Sequence, residues 1–262
     1  MKRGWLGCAA AAVLAWAFAG PVQAEKLRSA VEAFAAAGQH ARVASGRQFF
    51  GDARYAGSET CKRCHEDQYR SWRSTWHSKM ERWPSAETVV GDFEDREIRF
   101  RNLRVRTPDG KEAVINPTAR VFRRDGRYGF TLHDRDDPAN DQTWFVAKVL
   151  GGRWDQGYEV QLGSDNYYPA PIRWSVEQKD WIVGGFNPAD WWVADGTPDG
   201  RPFKPAELPR NRVAEAKCNG CHTTGFSFAK AADGVWKAHM NGKAEIGVAC
   251  ESCHGPGSRH VA

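Results

Sequence analysis

The sequence predicts an α+β protein in which helical segments with Cys-x-x-Cys-His motifs flank a β-rich insertion. Three observations predict this class. The motif occurs three times, a segment free of Gly and Pro follows the first copy, and the stretch between the first two copies alternates like β-strands. The first two motifs begin 157 residues apart, from Cys61 to Cys218, whereas the second and third begin 32 apart, from Cys218 to Cys250. We therefore predict a helical core that residues 91–207 interrupt.

The first 24 residues have the pattern of a secretory signal peptide. Lys2 and Arg3 precede an apolar run, and Val22 and Ala24 are the small residues before a cleavage site. The run is short for a membrane span. We expect cleavage after Ala24, which removes Cys8 and places the mature chain, without a membrane span, in the periplasm or outside the cell.

The cysteines predict the cofactor. Six of the seven form the three motifs, Cys61-Lys62-Arg63-Cys64-His65, Cys218-Asn219-Gly220-Cys221-His222 and Cys250-Glu251-Ser252-Cys253-His254. Such a motif attaches haem c: the two thiols form thioethers to one porphyrin, and the histidine becomes the proximal iron ligand. A thioredoxin-like pair would not place a histidine after the second cysteine three times, and a zinc site built from two motifs would leave the third unexplained. We predict three covalent haems, with His65, His222 and His254 as proximal ligands.

Five histidines remain as candidates for the distal position of each iron, namely His40, His77, His133, His239 and His260. The segment between His65 and His77 favours a helix, with an apolar stripe at Tyr69, Trp72 and Trp76. If that helix is continuous, the twelve-residue rise separates His65 from His77 by about 18 Å, so they cannot share an iron. Gly255, Pro256 and Gly257 end any helix after His254, so His260 also reaches a neighbouring haem more easily than its own.

The insertion and the flanking regions complete the predicted organisation. Residues 25–55 form an N-terminal helical segment containing His40, residues 56–90 form the helical region of the first haem, and residues 208–262 hold the second and third. Strands are predicted at 97–106 with a break at Asn102, in a hairpin that turns at Asp125-Gly126, and at 142–150, 157–163 and 171–177.

Charge places few limits on the partners. The formal net charge is +5, and nine arginines lie between Arg96 and Arg127. Export argues against a nucleic-acid partner, so this stretch is either a solvated strand face or a docking surface for an acidic redox protein.

Three segments resemble a known family: residues 55–80, "YAGSETCKRCHEDQYRSWRSTWHSKM"; 218–226, "CNGCHTTGF"; and 247–260, "GVACESCHGPGSRH". They are similar to the multihaem cytochromes c typified by the nitrifier tetrahaem cytochrome that accepts electrons from hydroxylamine oxidoreductase, and to related haem proteins with tetratricopeptide repeats. The resemblance implies that His77 ligates the third haem and His260 the first, both from the distal side. This chain departs from the family because it has no fourth motif and carries the long insertion.

The expected function is electron transfer between redox donor and acceptor proteins, as a periplasmic relay. The nitrifier relative has a five-coordinate second haem. Here the sequence leaves the sixth ligand of that haem open among His239, His40, His133, Met240 and none. A redox enzyme acting there on a small nitrogen oxide or hydroxylamine is the alternative, as is a subunit of an oligomer or larger cytochrome assembly. The sequence does not decide whether the chain is a fragment of a longer protein.

Overall fold

The computed structural model describes residues 51–107, 110–163, 166–184, 189–193 and 201–262. The chain divides into two compact units, Met1–Asp52 and Ala53–Ala262, and the described residues belong almost entirely to the second. The predicted signal peptide at 1–24, His40 and nearly all of the segment 25–55 lie outside the described residues. None of the helices in the described ranges is long and apolar enough to cross a membrane.

β-Strands dominate the described chain, so the prediction of an α+β protein with a helical core is wrong. The longest described helix has nine residues, and helices this short cannot bury a shared core of their own. The helices are α1 Ser58–Lys62, α2 Glu66–Ser74, α3 Ala189–Trp192, α4 Ala214–Lys217, α5 Asn219–His222 and α6 Cys250–His254, with 3₁₀ turns at Pro138–Asn140 and Arg210–Arg212.

The strands form one large sheet and two hairpins. A nine-stranded antiparallel sheet follows the order β2-β5-β6-β7-β8-β10-β11, with β1 paired to β7 and β9 to β8, while β3–β4 and β12–β13 pair separately. The strands are β1 Glu81–Arg82, β2 Arg96–Arg99, β3 Leu103–Arg106, β4 Glu112–Ile115, β5 Thr118–Arg124, β6 Arg127–Leu132, β7 Gln142–Gly151, β8 Asp155–Leu162, β9 Asn166–Pro169, β10 Ile172–Ser175, β11 Asp180–Val183, β12 Thr223–Lys230 and β13 Trp236–Ile246.

Local turn chemistry explains where several strands end. Asp125 and Gly126 have φ angles of 51° and 73°, and they join β5 to β6 with Arg124 opposite Arg127. Asp-Gly with two positive φ angles is the favoured two-residue hairpin turn, so the predicted hairpin is confirmed. Asn102, at φ 53°, separates β2 from β3 at the predicted break.

The large sheet curls until its end strands approach each other. Arg96 on β2 donates to Asp180 on β11 at 2.7 Å. Just before β2, the Phe93 ring lies 4.9 Å from the Trp181 ring and 5.3 Å from the Tyr158 ring, measured between centroids. The interior is therefore filled by side chains from both ends of the strand order, and the sheet is nearly closed.

A β-bulge in β7 reverses which face its side chains occupy. Val146 pairs with Val160, but the next pair is Lys148 with Glu159, so Ala147 is the extra residue. Before the bulge, Trp144 and Val146 belong to the buried core; after it, Val149 does. A bulge re-aims the residues beyond it, and here it turns Lys148 away from that core.

The correction to the fold class is clearest between motifs two and three. Residues 223–246, predicted within the helical core, pair as the β12–β13 hairpin, with Thr223 opposite Ile246 and Lys230 opposite Trp236. The motifs themselves occupy about one helical turn each. The motifs are therefore formed without long helices, and the residues between motifs two and three form β-strands.

Candidate haem-binding site

The three motifs share one local geometry. The second cysteine of each, Cys64, Cys221 and Cys253, is exposed, and the first is half-buried; none of the six forms a disulfide. In motif one, α1 contains Cys61 and α2 begins after His65, whose N–H donates to the Cys61 oxygen at 3.0 Å. The histidine thus follows the end of a single turn, as attachment of both thiols to one porphyrin requires.

Motif one lies opposite His260. The imidazole centroids of His65 and His260 are 6.1 Å apart, with their planes inclined by 22°. Both side chains are exposed. Imidazole nitrogens bind a metal at about 2 Å, so two rings that share one iron have centroids about 6 Å apart. The spacing of these two rings fits a single iron between them.

Helix α2 ends before His77, so the premise of the 18 Å argument does not hold. The helix covers Glu66–Ser74. Beyond it, Thr75 Oγ1 donates to the Trp72 carbonyl at 2.7 Å and Ser78 Oγ to the Arg73 carbonyl at 3.0 Å. Hydroxyl groups that bond to nearby carbonyls compete with helix hydrogen bonding.

His77 lies beside the segment that leads into motif three. Val248 N–H donates to the His77 carbonyl at 3.1 Å, and Trp72 Nε1 donates to the Val248 carbonyl at 2.9 Å. Val248 precedes Cys250 by two residues. The exposed His77 side chain also lines an open cleft of about 450 Å³ with Trp72 and Thr75. The His77 backbone therefore lies beside motif three, and ligation of the third haem by its side chain stays a prediction.

Motifs two and three are joined through Thr224. Gly247 N–H donates to the His222 carbonyl at 2.8 Å. Thr224 Oγ1 donates to the Gly247 carbonyl at 3.0 Å and accepts from Ala249 N–H at 2.9 Å. The same hydroxyl contacts Ser252 Oγ, inside motif three. The second and third attachment sites are therefore neighbours.

Motifs one and three are joined through two carboxylates. Glu251, inside motif three and 3% exposed, accepts from the N–H groups of Ala56 and Gly57 at 2.8 Å each. Glu245 accepts from Ser58 N–H at 2.9 Å and from its hydroxyl at 3.0 Å. The start of α1 is thus fixed to the polypeptide around the third motif.

A buried charged cluster lies beside motif two. Lys148 Nζ is 2.5 Å from Glu81 Oε1 and 3.4 Å from Glu159 Oε2, and both carboxylates are fully buried. Desolvation raises the pKa of Glu159 to about 8, although Lys148 opposes the rise. Burial lowers the pKa of Lys148, but Glu159 and Glu81 more than compensate, so the net direction is upward. Lys148 is thus shared by two buried carboxyl groups, and desolvation favours the neutral form of Glu159.

This cluster contacts the haem region through α4. Lys148 Nζ lies 3.8 Å from the centre of the Tyr167 ring, and Tyr167 N–H donates to the Glu215 carboxylate at 3.2 Å. Asn219, inside motif two, donates to that carboxylate at 3.3 Å. Burial raises the pKa of the Cys218 thiol to about 12, and the carboxylates of Glu159, Glu81 and Glu215 add to the rise.

The other candidate ligands occupy varied positions. The His133 ring nitrogen Nδ1 is 2.7 Å from Asp141 Oδ2, in the connection between β6 and β7. His239 and Met240 are exposed on β13, and Met240 lines a cleft of about 430 Å³ together with residues 56–60 near motif one.

The predicted basic stretch is largely paired. Arg120 binds Asp95 and Arg99 binds Glu97, each at 2.6 Å. Arg124 lies 4.2 Å from the Phe122 ring centroid and Arg127 lies 3.7 Å from that of Phe145. These contacts favour a solvated strand face.

The comparison with protein families agrees with the motifs. The sequence model of the family described as "Cytochrome c554 and c-prime" matches residues 60–99 and 203–255. These two ranges contain all three Cys-x-x-Cys-His motifs. The match supports a multihaem c-type cytochrome.

Among solved structures, the cytochrome is similar to one described as "Undecaheme cytochrome from S-layer of Carboxydothermus ferrireducens". The identity is 16% and the TM-score 0.40, and the match covers 81% of this chain and 22% of the other. The comparison with curated proteins gave no match.

Several residues that shape this cytochrome were not found from the sequence. Glu251 occupies a variable position of the motif, where the pattern assigns no role. Lys148 and Glu159 are charged residues within predicted strands, and this pattern could have indicated a buried ion pair. Thr224 had no distinguishing pattern.

Proposed function

We propose that this cytochrome is an exported electron relay with three haems c, attached at Cys61/Cys64, Cys218/Cys221 and Cys250/Cys253. His65, His222 and His254 would hold the irons from the proximal side. His260 would complete the first haem and His77 the third. Haem supplies one-electron chemistry when bound, and an iron with imidazole on both sides has no free position for a substrate. Redox proteins outside the cytoplasm would donate and accept the electrons.

The observation that carries this proposal is the 6.1 Å separation of the His65 and His260 ring centroids. The two histidines are 195 residues apart in the chain (260 − 65), so no local turn brings them together. The spacing matches that of two imidazoles on one iron. Exposure of the second cysteine in every motif leaves each attachment site accessible to a porphyrin.

The test is the spin state of the purified holoprotein. We expect mass spectrometry to give the processed chain plus three haems, and His260→Ala to convert one haem from low-spin to high-spin in the optical and EPR spectra. The comparison variant is His133→Ala, which removes an imidazole bound to Asp141 and should leave the ligation of the first haem unchanged. A protein without three haems, or an unchanged spectrum for His260→Ala, would contradict the proposal.

The cluster beside Cys218 favours one second candidate, a redox enzyme acting on a small nitrogen oxide or hydroxylamine at a five-coordinate second haem. Glu159, whose pKa desolvation raises to about 8, would be a proton donor near that haem. The discriminating measurement is addition of carbon monoxide or nitric oxide to the unmodified protein. A spectral shift in one haem supports the enzyme, and complete inertness supports the relay.

A further inference from the structure

Glu251 connects two parts of the chain that carry opposite ligands of one haem. Its Oε1 accepts from Ala56 N–H at 2.8 Å and from Gly257 N–H at 2.7 Å, and its Oε2 accepts from Gly57 N–H at 2.8 Å. Ala56 and Gly57 lead directly into α1 and motif one. Gly257 begins the turn that carries His260. One carboxylate thus holds the segment before motif one and the turn that carries His260 together.

The turn that begins at Gly257 fixes the position of the His260 backbone. The N–H of His260 donates to the Gly257 carbonyl at 2.9 Å, and Ser258 N–H donates to the Arg54 carbonyl at 3.0 Å. In return, Arg54 N–H donates to Ser258 Oγ at 2.8 Å. Residues 54–57 and 257–260 therefore lie side by side, with Glu251 as the buried connection between them.

The burial of Glu251 makes this connection strong. Its side chain is buried, and all three partners are backbone N–H groups, which a carboxylate binds more strongly than a neutral acceptor does. Gly57, at the N-terminus of α1, has no side-chain cap of its own. A Cβ added to Gly257 would lie 3.2 Å from Glu251 Oε1, which shows how closely the turn approaches.

We propose that Glu251 is a positioning residue for axial ligation of the first haem. It holds His260 opposite His65, although it belongs to the attachment motif of the third haem. The inference rests on the proposed function, because it assumes that His260 is the distal ligand. Its physical consequence is that the polypeptide of the third haem controls ligation of the first.

The test compares Glu251→Gln and Glu251→Ala with the unmodified holoprotein. We expect three haems to remain attached, and Glu251→Ala to bind up to one more carbon monoxide per chain than the parent, with a matching gain of high-spin signal. Glu251→Gln should show a smaller gain, because an amide accepts through only one oxygen. Added imidazole should restore the low-spin spectrum, since it replaces the displaced His260; an unchanged far-ultraviolet circular dichroism spectrum excludes misfolding as the cause.

The matched control is Glu245→Gln. Glu245 also accepts backbone and hydroxyl hydrogen bonds at the start of α1, from Ser58, whereas Gly257 N–H donates to Glu251. The Glu245→Gln variant should therefore have the spin state and the carbon monoxide binding of the parent. If Glu251→Ala does not accumulate with three haems, Glu251→Gln and Ser258→Ala provide the same comparison, because Ser258→Ala removes the acceptor of Arg54 N–H.

Three results separate the possibilities. If His260→Ala gives a high-spin haem but the Glu251 variants stay fully low-spin, the inference is overturned and the relay stands. If His260→Ala itself stays low-spin, the ligation proposal fails. If Glu245→Gln matches the Glu251 variants, the effect belongs to α1 in general, and the specific role of Glu251 is overturned.

Discussion

Replacing Glu159 by glutamine is expected to change how the stability of this cytochrome depends on pH. Glu159 is fully buried and shares Lys148 with Glu81. Desolvation raises its pKa from 4.5 to about 8. Glutamine has nearly the same shape but does not titrate, so the substitution removes the proton equilibrium and keeps the volume.

The sign and size of this change in the free energy of unfolding follow from proton linkage. Between pH 4.5 and about 8 the folded state keeps a proton on Glu159 that the unfolded state releases. The stabilisation is fully present below pH 4.5 and is lost as pH rises through 8, by at most about 1.4 kcal/mol per pH unit. The whole interval corresponds to about 5 kcal/mol as an upper bound.

The assay is urea unfolding of the holoprotein, followed by far-ultraviolet circular dichroism from pH 5 to pH 9. Relative to the parent, Glu159→Gln should gain stability as pH rises, by at least about 1 kcal/mol between the two limits. Glu207→Gln is the control: Glu207 is exposed, and its hydrogen bond with Arg201 lowers its pKa to about 2, below this range. If the unfolding free energies of the parent and Glu159→Gln change with pH in parallel, the raised pKa of Glu159 is refuted.

Two further substitutions test the packing. Lys148→Met should destabilise the fold by about 3–5 kcal/mol at pH 7, because it leaves the buried Glu81 carboxylate without its cation; urea midpoints measure the loss. Gly129→Ala should cost about 1–3 kcal/mol by the same assay, because its Cβ would lie 2.7 Å from the Phe122 ring and 2.8 Å from the Trp144 carbonyl. Gly126→Asn is the comparison, since nothing lies within 4 Å of the added Cβ and asparagine tolerates the φ of 73°; an equal loss in both variants would contradict the steric explanation.

The strands were predictable because alternation and turn residues are local signals. The Asp125-Gly126 turn and the break at Asn102 both appear where the sequence places them. Which strands pair over long distances is not a local property, so the nearly closed sheet was not foreseen. The bulge at Ala147 shows the limit of pattern reasoning: strict alternation places Lys148 with Trp144 and Val146, whereas the extra residue turns it toward Glu159.

The attachment motifs were predictable because covalent chemistry fixes the spacing of their residues. The side chains that arrange the motifs in space were not. Glu251 and Thr224 act through backbone N–H groups from distant parts of the chain, and such hydrogen bonds impose no spacing on the sequence. Ligation by His77 and His222 stays a prediction, whereas the approach of His260 to His65 is a property of the fold.

The sequence contains a signal for the end of α2, but the apolar stripe favours a longer helix. Ser74 Oγ donates to the Ser71 carbonyl at 2.6 Å, and Thr75 and Ser78 make similar bonds. A run of hydroxyl residues at this spacing offers carbonyl groups an alternative to the next helical turn. Because the helix stops at Ser74, the following residues can turn toward Val248, and the His77 backbone meets the segment before motif three. The sequence argument separated His77 from His65 by extending the helix, whereas the structure ends the helix at Ser74, and ligation of the third haem by His77 stays a prediction.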